Sequence, residues 1–210
     1  MLIWNVVSKS LNLLARLPGL GRLMNAGALG RIRERTALWA VLELPDRRYM
    51  EERILPAMRE AGWSRVLFVG CGPYTASYPA MFAGTATEFW TIDLAPEAEP
   101  HGSPGRHIVG DCLDIGRFFP ARHFDAVLLN GVFGYGTDDI ALMNRLLDAV
   151  HGVLRSDGLL LIGWNRGLVP DPCTLERCGA RFAHEPKLPL PVHTSFEIHT
   201  HVYDFFRARA

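Results

Sequence analysis

Several things are scarce in this chain, and each scarcity excludes a class of function. It holds four cysteines in 210 residues, Cys71, Cys112, Cys173 and Cys178, and none form a CxxC spacing. Two of the four fall inside loops where a disulfide would obstruct a ligand, so the set reads as free thiols of a reducing cytosol. No second pair lies near Cys173 and Cys178, and no metal site is expected. Charge of one sign is also missing: 22 Lys and Arg balance 22 Asp and Glu. No overall field draws nucleic acid or anionic membrane, and nucleic acid is not an expected partner. Long apolar runs are absent as well. The opening stretch MLIWNVVSKSLNLLARLPGLGRLMNAGALG is broken by Lys9, Arg16, Pro18 and Arg22, too often to span a bilayer. Lys9 follows the first apolar residues, whereas a signal peptide places its charge before them. There is no internal repeat and no low-complexity tract.

What is present is a series of short apolar runs. The N-terminal stretch can place Leu2, Val6, Leu13 and Leu17 on one helical face, which suits a packing helix or, as the alternative, a membrane-surface one. RIRERTALWAVLELP has helical spacing and stops at Pro45, and DRRYMEERILPAMREAG restarts with Asp46 as an expected N-cap. Buried-type strands are expected at 66–69, 89–92, 107–109, 126–129 and 159–162. Between the last two, TDDIALMNRLLDAVHGVL shows an apolar face of Ile140, Met143, Leu146, Leu147 and Val150, capped by Asp138 or Thr137. Strands alternating with helices imply parallel crossovers, hence an α/β sheet with helices on both faces. The C-terminal VHTSFEIHTHVYDFFRAR has no helix after it and is expected to close the sheet as an antiparallel strand. Residues 1–60 are expected to form a helical cap or lid, including Trp39 and Tyr49, over a domain of residues 61–210.

In such sheets ligands sit beyond the carboxyl ends of the strands, where the strand order reverses. The first strand there, RVLFVGCGPYT, ends in Gly70-Cys71-Gly72. A dinucleotide turn would carry a third glycine at the position of Thr75, and Pro73 and Tyr74 add bulk, which weakens that reading. Asp93, in FWTIDLAPE, is placed to accept ribose hydroxyls. Asp111, in HIVGDCLDI, follows the third strand, and FDAVLLNGVFGYG ends a fourth strand at Asn130-Gly131.

Together with VLRSDGLLLIGW, these pieces over roughly residues 60–165 resemble the class I S-adenosylmethionine-dependent methyltransferases. LFVGCGPYT, TIDL, HIVGDC and NGVFGYG are also similar to a bacterial subgroup of methyltransferase-domain proteins that lack the acid two residues before the first glycine; Phe68 stands there. The resemblance implies a Rossmann-like, mostly parallel seven-stranded sheet with an antiparallel C-terminal strand. It implies a cofactor site of Gly70, Cys71, Gly72 and Tyr74, then Asp93 and Leu94 at the ribose, Asp111 and Cys112 at the adenine, and Asn130 and Gly131 at the methionine end. The asparagine and glycine also have a plain alternative as a turn, and Asp111 as a helix cap. Phe68 is expected to fill space beneath the turn.

Methyl transfer from a sulfonium depends mainly on holding the acceptor in line and dry, and a base is optional. His193 and Tyr135 are the candidate catalytic residues, and Phe133, Tyr135, Trp164 and Asn165 the expected pocket lining. An aromatic pocket suits a small acceptor, methylated at O or N, in secondary metabolism. The alternatives are an S-adenosylmethionine-binding enzyme of another reaction type, a lyase or a rearrangement, or a non-catalytic cofactor-binding subunit. The apolar N-terminus allows a homodimer.

Overall fold

The computed structural model describes residues 41–210 except 42 and 198. The expected helices before residue 41 lie outside the described residues. From there the chain runs through α1 (Pro45–Tyr49), a π-helical turn (Met50–Ile54) and α2 (Leu55–Glu60). The expected Asp46 cap is corrected: Pro45 takes the first helical position behind Leu44, because a proline's missing N–H costs nothing there, and Asp46 is turned inward and buried.

The sheet then follows as β1 (Arg65–Val69), β2 (Glu88–Asp93), β3 (His107–Val109), β4 (Phe124–Asn130), β5 (Leu154–Asn165), β6 (Phe182–Ala183), β7 (His193–Ser195) and β8 (His201–Ala208). Its order is β3-β2-β1-β4-β5-β8-β6, with β7 paired to β8. The first five strands are mutually parallel, and β8 runs antiparallel against β5, β6 and β7. All five expected parallel strands fall within β1–β5. The sheet has eight strands rather than seven, because the C-terminal segment breaks into two antiparallel strands. His199 consequently lies outside the strand that holds His201.

Two helical layers cover the sheet. On one face α3 (Ile140–Val153) buries Met143, Leu146, Leu147, Val150 and Val153 against Leu67, Val69, Val127, Leu129, Leu160 and Ile162. Each such side chain contributes about 1.5–3 kcal/mol by leaving water. Its N-cap is Asp139, one residue past the expected Asp138, with Oδ1 accepting from Leu142 N at 2.8 Å. The short α4 (Glu176–Arg181) packs beside it. On the other face Met50, Ile54, Leu55 and Met58 pack against Val66, Phe68, Ala126, Leu128, Leu161 and Phe205. Residues 45–60 thus share the sheet domain's core. The connections β1–β2, β2–β3 and β3–β4 use 3-10 turns (Pro79–Phe82, Pro96–His101, Cys112–Arg117) in place of α-helices. Proline and glycine set this: Pro96, Pro100, Gly102, Pro104 and Gly105 crowd one connection, and a helix interior tolerates neither residue well.

Candidate functional site

β1 has β2 on one side and β4 on the other, so the chain order reverses between β1 and β4. The turn after β1 opens at the carboxyl edge of that crevice. Gly70 has φ +87°, which favours glycine, and its N–H donates to Ile92 O at 3.0 Å. Cys71 N–H donates to Asp93 Oδ2 at 2.6 Å, and Asp93 Oδ1 accepts from Ala95 N at 2.8 Å. One carboxylate thus ties the first turn to the end of β2, and each of its oxygens keeps a further lone pair. Thr75, which takes the place of a third glycine, is buried. Its Oγ1 hydrogen-bonds both the N–H and the carbonyl of Gly72 at 3.0 Å. The turn is therefore closed by a threonine hydroxyl.

Phe68 lies beneath it, 1% exposed, edge-on to Tyr78 with ring centroids 5.4 Å apart and stacked on Phe89 at 6.3 Å. It fills the core, as expected from its bulk. Leu94, next to Asp93, is 69% exposed. Asp111 Oδ1 accepts from Leu113 N at 2.8 Å and caps the 3-10 turn that follows, and its second oxygen has no partner among the described residues. Burial, then Asp93, pushes the Cys71 thiol up to about 12, and burial, then Asp111, pushes Cys112 up to about 11. Both remain neutral thiols.

Across the crevice, the end of β4 meets β5 and β8. Asn130 Oδ1 lies 3.1 Å from His201 Nε2, His201 Nδ1 lies 3.3 Å from Asn165 Oδ1, and Asn165 Nδ2 donates to Tyr135 Oη at 3.4 Å. A Cβ at Gly163 would overlap both Asn130 Oδ1 and His201 Nε2, so glycine is what lets these side chains cross the sheet. Burial holds the His201 pKa down to about 4, so the imidazole is neutral and carries one N–H. Both asparagines present Oδ1 to the ring, so that single proton serves one of them and the other oxygen faces the unprotonated ring nitrogen. The buried Asn130 Nδ2 has no hydrogen-bond partner among the described residues.

No family model matches the sequence, and no curated protein is similar to it in sequence. Solved structures are similar to it in fold. The N-methyltransferase NodS from Bradyrhizobium japonicum WM9, in complex with S-adenosyl-L-homocysteine, superposes with a TM-score of 0.61 at 18% identity over 82% of this chain and 92% of that one. A TehB-like SAM-dependent methyltransferase from Corynebacterium glutamicum gives 0.59 at 20% identity over 86% and 97%. The fold is that of the class I methyltransferases.

In this class I fold the structure brings Gly70, Cys71, Gly72, Tyr74, Asp93 and Asp111 to one edge, with Asn130 and Gly131 across the switch point. Tyr135 and Asn165 join the Asn130 group, and Tyr135 is 66% exposed. Phe133 and Trp164 point instead into the core on the α3 face, 1% and 5% exposed, and are not brought to the Asn130 group. His193 is not brought there either. Its Nδ1 lies 2.8 Å from Asp204 Oδ1. Asp204, 1% exposed, also meets His184 Nε2 at 2.9 Å and Trp164 Nε1 at 2.7 Å. Cys173, His184 and Asp204 hold ligand-type atoms within 4.8 Å of one another, a cluster that the spacing of the cysteines did not foreshadow.

Two further groups escaped the sequence reading. Asp46 and Arg47, at the start of α1, are turned against the glycine turn. The Arg47 guanidinium lies 4.3 Å from the Tyr74 ring centroid, and Tyr203 Oη donates to the Asp46 carbonyl at 3.0 Å. An Asp-Arg pair after a proline reads as a solvated helix start, and nothing nearby in sequence reveals the tyrosine that pins it. Asp204 did carry a signal, as a lone acid inside the apolar run VYDFF. Among the described residues no helix is long and apolar enough to cross a membrane.

Proposed function

We propose that the protein is an S-adenosylmethionine-dependent methyltransferase acting on a small molecule, with oxygen or nitrogen as the accepting atom. The observation that carries this reading is the glycine turn at the switch point of a class I fold, tied by Asp93 to the end of β2. The residues present suit the cofactor. Asp93 keeps lone pairs for two ribose hydroxyls, Asp111 keeps one oxygen for the adenine amino group, and Leu94 offers an apolar surface to the base. The partnerless Asn130 Nδ2 is a buried donor in need of an acceptor, which suits the methionine end. The cofactor, when bound, supplies an electrophilic methyl group on a sulfonium.

The chain's own contribution is binding, orientation and exclusion of water. Tyr135 and Asn165 stand at the outer end of the Asn130 group, where they can orient an acceptor's polar atom through a hydroxyl and an amide. His201, neutral and placed between two asparagines, donates its one proton to one of the two amide oxygens. His193 rests on Asp204, away from this group, so the reading assigns the acceleration to positioning. Free thiols at all four cysteines support a reducing, cytoplasmic setting.

Calorimetry with S-adenosylhomocysteine, with NAD as the control, tests the cofactor. Binding of the former and not the latter is expected, and the reverse result removes the assignment. Asp93→Ala should weaken that binding by about 100-fold, from the loss of charge-assisted hydrogen bonds. Wild-type affinity in a folded Asp93→Ala variant would remove the ribose role. Formation of S-adenosylhomocysteine from S-adenosylmethionine and candidate acceptors, with isotope tracing of the methyl group, then tests the reaction itself.

A further inference from the structure

Seven buried side-chain polar atoms have no hydrogen-bond partner among the described residues, and four belong to one neighbourhood: Asp46 Oδ1, Arg47 Nε, Arg47 Nη1 and Tyr78 Oη. Leaving such groups unmade inside a protein costs roughly 1–3 kcal/mol each, and more when they are charged. A chain retains several in one place when a ligand completes them.

These four have a defined chemistry. The Asp46 and Arg47 side chains are 5% and 13% exposed, and Arg47 Nε stands 3.7 Å from Asp46 Oδ2, too far for a hydrogen bond. The two charges are thus close enough to balance and too far apart to satisfy one another. Their positions are fixed from three sides. Tyr203 Oη holds the Asp46 backbone, Tyr74 stacks on the guanidinium face, and the Tyr74 ring also sits 3.0 Å from where a Cβ on Gly72 would be. Cation–π contact occupies the face of the guanidinium and leaves its N–H groups to donate in the plane. Burial pushes the Tyr78 hydroxyl up to about 12, so it stays protonated as a neutral donor. The unfilled valences are therefore three donors, two of them cationic, beside one anionic acceptor.

We infer that Asp46, Arg47 and Tyr78 form a receptor for the zwitterionic end of an α-amino acid, with the carboxylate on Arg47 and Tyr78 and the ammonium on Asp46. A lone carboxylate would leave Asp46 Oδ1 unmet, and a lone amine would leave both guanidinium donors unmet. Placed against the glycine turn, the receptor suits two sources of this group: the methionine end of the cofactor, which rests on the function proposed above, or a free amino acid as acceptor.

The test compares S-adenosylhomocysteine with 5′-methylthioadenosine, a nucleoside thioether that lacks the amino-acid end, by calorimetry on the full chain. A panel of the standard L-amino acids is then screened by thermal shift, with and without S-adenosylhomocysteine. If the cofactor is the guest, wild type prefers S-adenosylhomocysteine by about 10- to 100-fold, the size of one or two charge-assisted hydrogen bonds. Arg47→Gln and Asp46→Asn then each reduce the preference toward unity while methylthioadenosine still binds, which also reports an intact fold. If an amino acid is the guest, the preference is unaffected by Arg47→Gln, and one amino acid stabilises wild type but not the variant. Should Arg47→Gln fail to fold, Tyr78→Phe supplies the same comparison with the ring retained. An unchanged preference together with no variant-sensitive amino acid overturns the receptor and leaves the cofactor reading standing. If neither nucleoside binds wild type, the cofactor reading falls, and the amino-acid panel alone decides the receptor.

Discussion

Strand β8 carries a buried polar group on each of its two faces, and the two are finished differently. Toward α3, Asp204 is met by Trp164, His184 and His193 at 2.7–2.9 Å. Toward α1, Tyr203 and His201 border Asp46, Arg47, Tyr78 and Asn130, where five buried polar atoms have no partner among the described residues. The same strand and the same depth of burial are involved, so burial alone does not mark a functional site. Completion does. The Asp204 group satisfies itself and can be read as architecture, whereas the group at the glycine turn is stable only at a cost that a ligand removes.

The largest effect expected from this contrast comes from adding another unmet acid to the open face. Phe68→Asp removes a ring packed between Tyr78 and Phe89 and buries a carboxylate with no prepared donors. Loss of a core Phe costs about 3–5 kcal/mol and an unpaired buried charge adds to it, so the variant should unfold or lose more than about 5 kcal/mol. Urea unfolding measures this. Unchanged stability with tighter binding of S-adenosylmethionine would instead mean that the turn is intact and merely missing its acid.

The next effect sets the two groups against each other directly. Asp204→Ala strands an indole N–H and two imidazoles, and should cost about 3–5 kcal/mol while the cofactor affinity of the folded protein stays within about threefold. Replacing the buried pair together, Asp46→Leu with Arg47→Met, should do the reverse: neutral or stabilising by about 1–4 kcal/mol, because it removes two buried charges that balance but do not satisfy one another. If that double variant is as damaging as Asp204→Ala, the contrast between closed and open groups is wrong.

How much of this was legible in the sequence follows the same division. The five parallel strands could be read because each is a continuous apolar run buried on both faces, and the turn, Asp93 and Asn130 because they follow strand ends. Phe68 as a filler was readable from the bulk of Pro73 and Tyr74 beside it. The open group was not readable. Asp46 looks like an N-cap in its local sequence, and the tyrosine that hydrogen-bonds its backbone carbonyl, Tyr203, lies 157 residues away. The missing crossover helices could have been anticipated from Pro96, Pro100 and Pro104, which no long helix accommodates. Position beside a strand makes His193 a candidate catalytic residue and Trp164 a candidate pocket residue. Which face each occupies is set by β8 register, and a one-residue difference reverses it.

A smaller effect is acidic. His201 is neutral in the fold, with its pKa held near 4 by burial, against about 6.5 when unfolded. Below 6.5 the unfolded chain takes up a proton that the folded chain does not, so the stability present above that pH is lost as pH falls toward 4. From pH 7 to pH 5 the loss is on the order of 2 kcal/mol. His201→Gln should flatten that part of the profile when urea midpoints are compared across the same range. A slope unchanged by the substitution would assign it to other groups.

The smallest effect is expected at the outer end of the open group. Tyr135 is 66% exposed, and its hydroxyl only accepts a long 3.4 Å hydrogen bond from Asn165 Nδ2. Removing it with Tyr135→Phe should change stability by less than about 0.5 kcal/mol, since solvent replaces the partner and no buried group is stranded. Cofactor affinity should stay within about twofold, because the hydroxyl is separated from Asn130 by both Asn165 and His201. If the residue has a role, it lies with the acceptor. Once a methylated substrate is in hand, the variant should raise KM with little change in kcat if the hydroxyl binds ground and transition states equally, and should lower kcat if it aligns the accepting atom. An altered cofactor affinity with unchanged KM and kcat would place Tyr135 in the cofactor site and move the boundary between the two pockets inward, to Asn165.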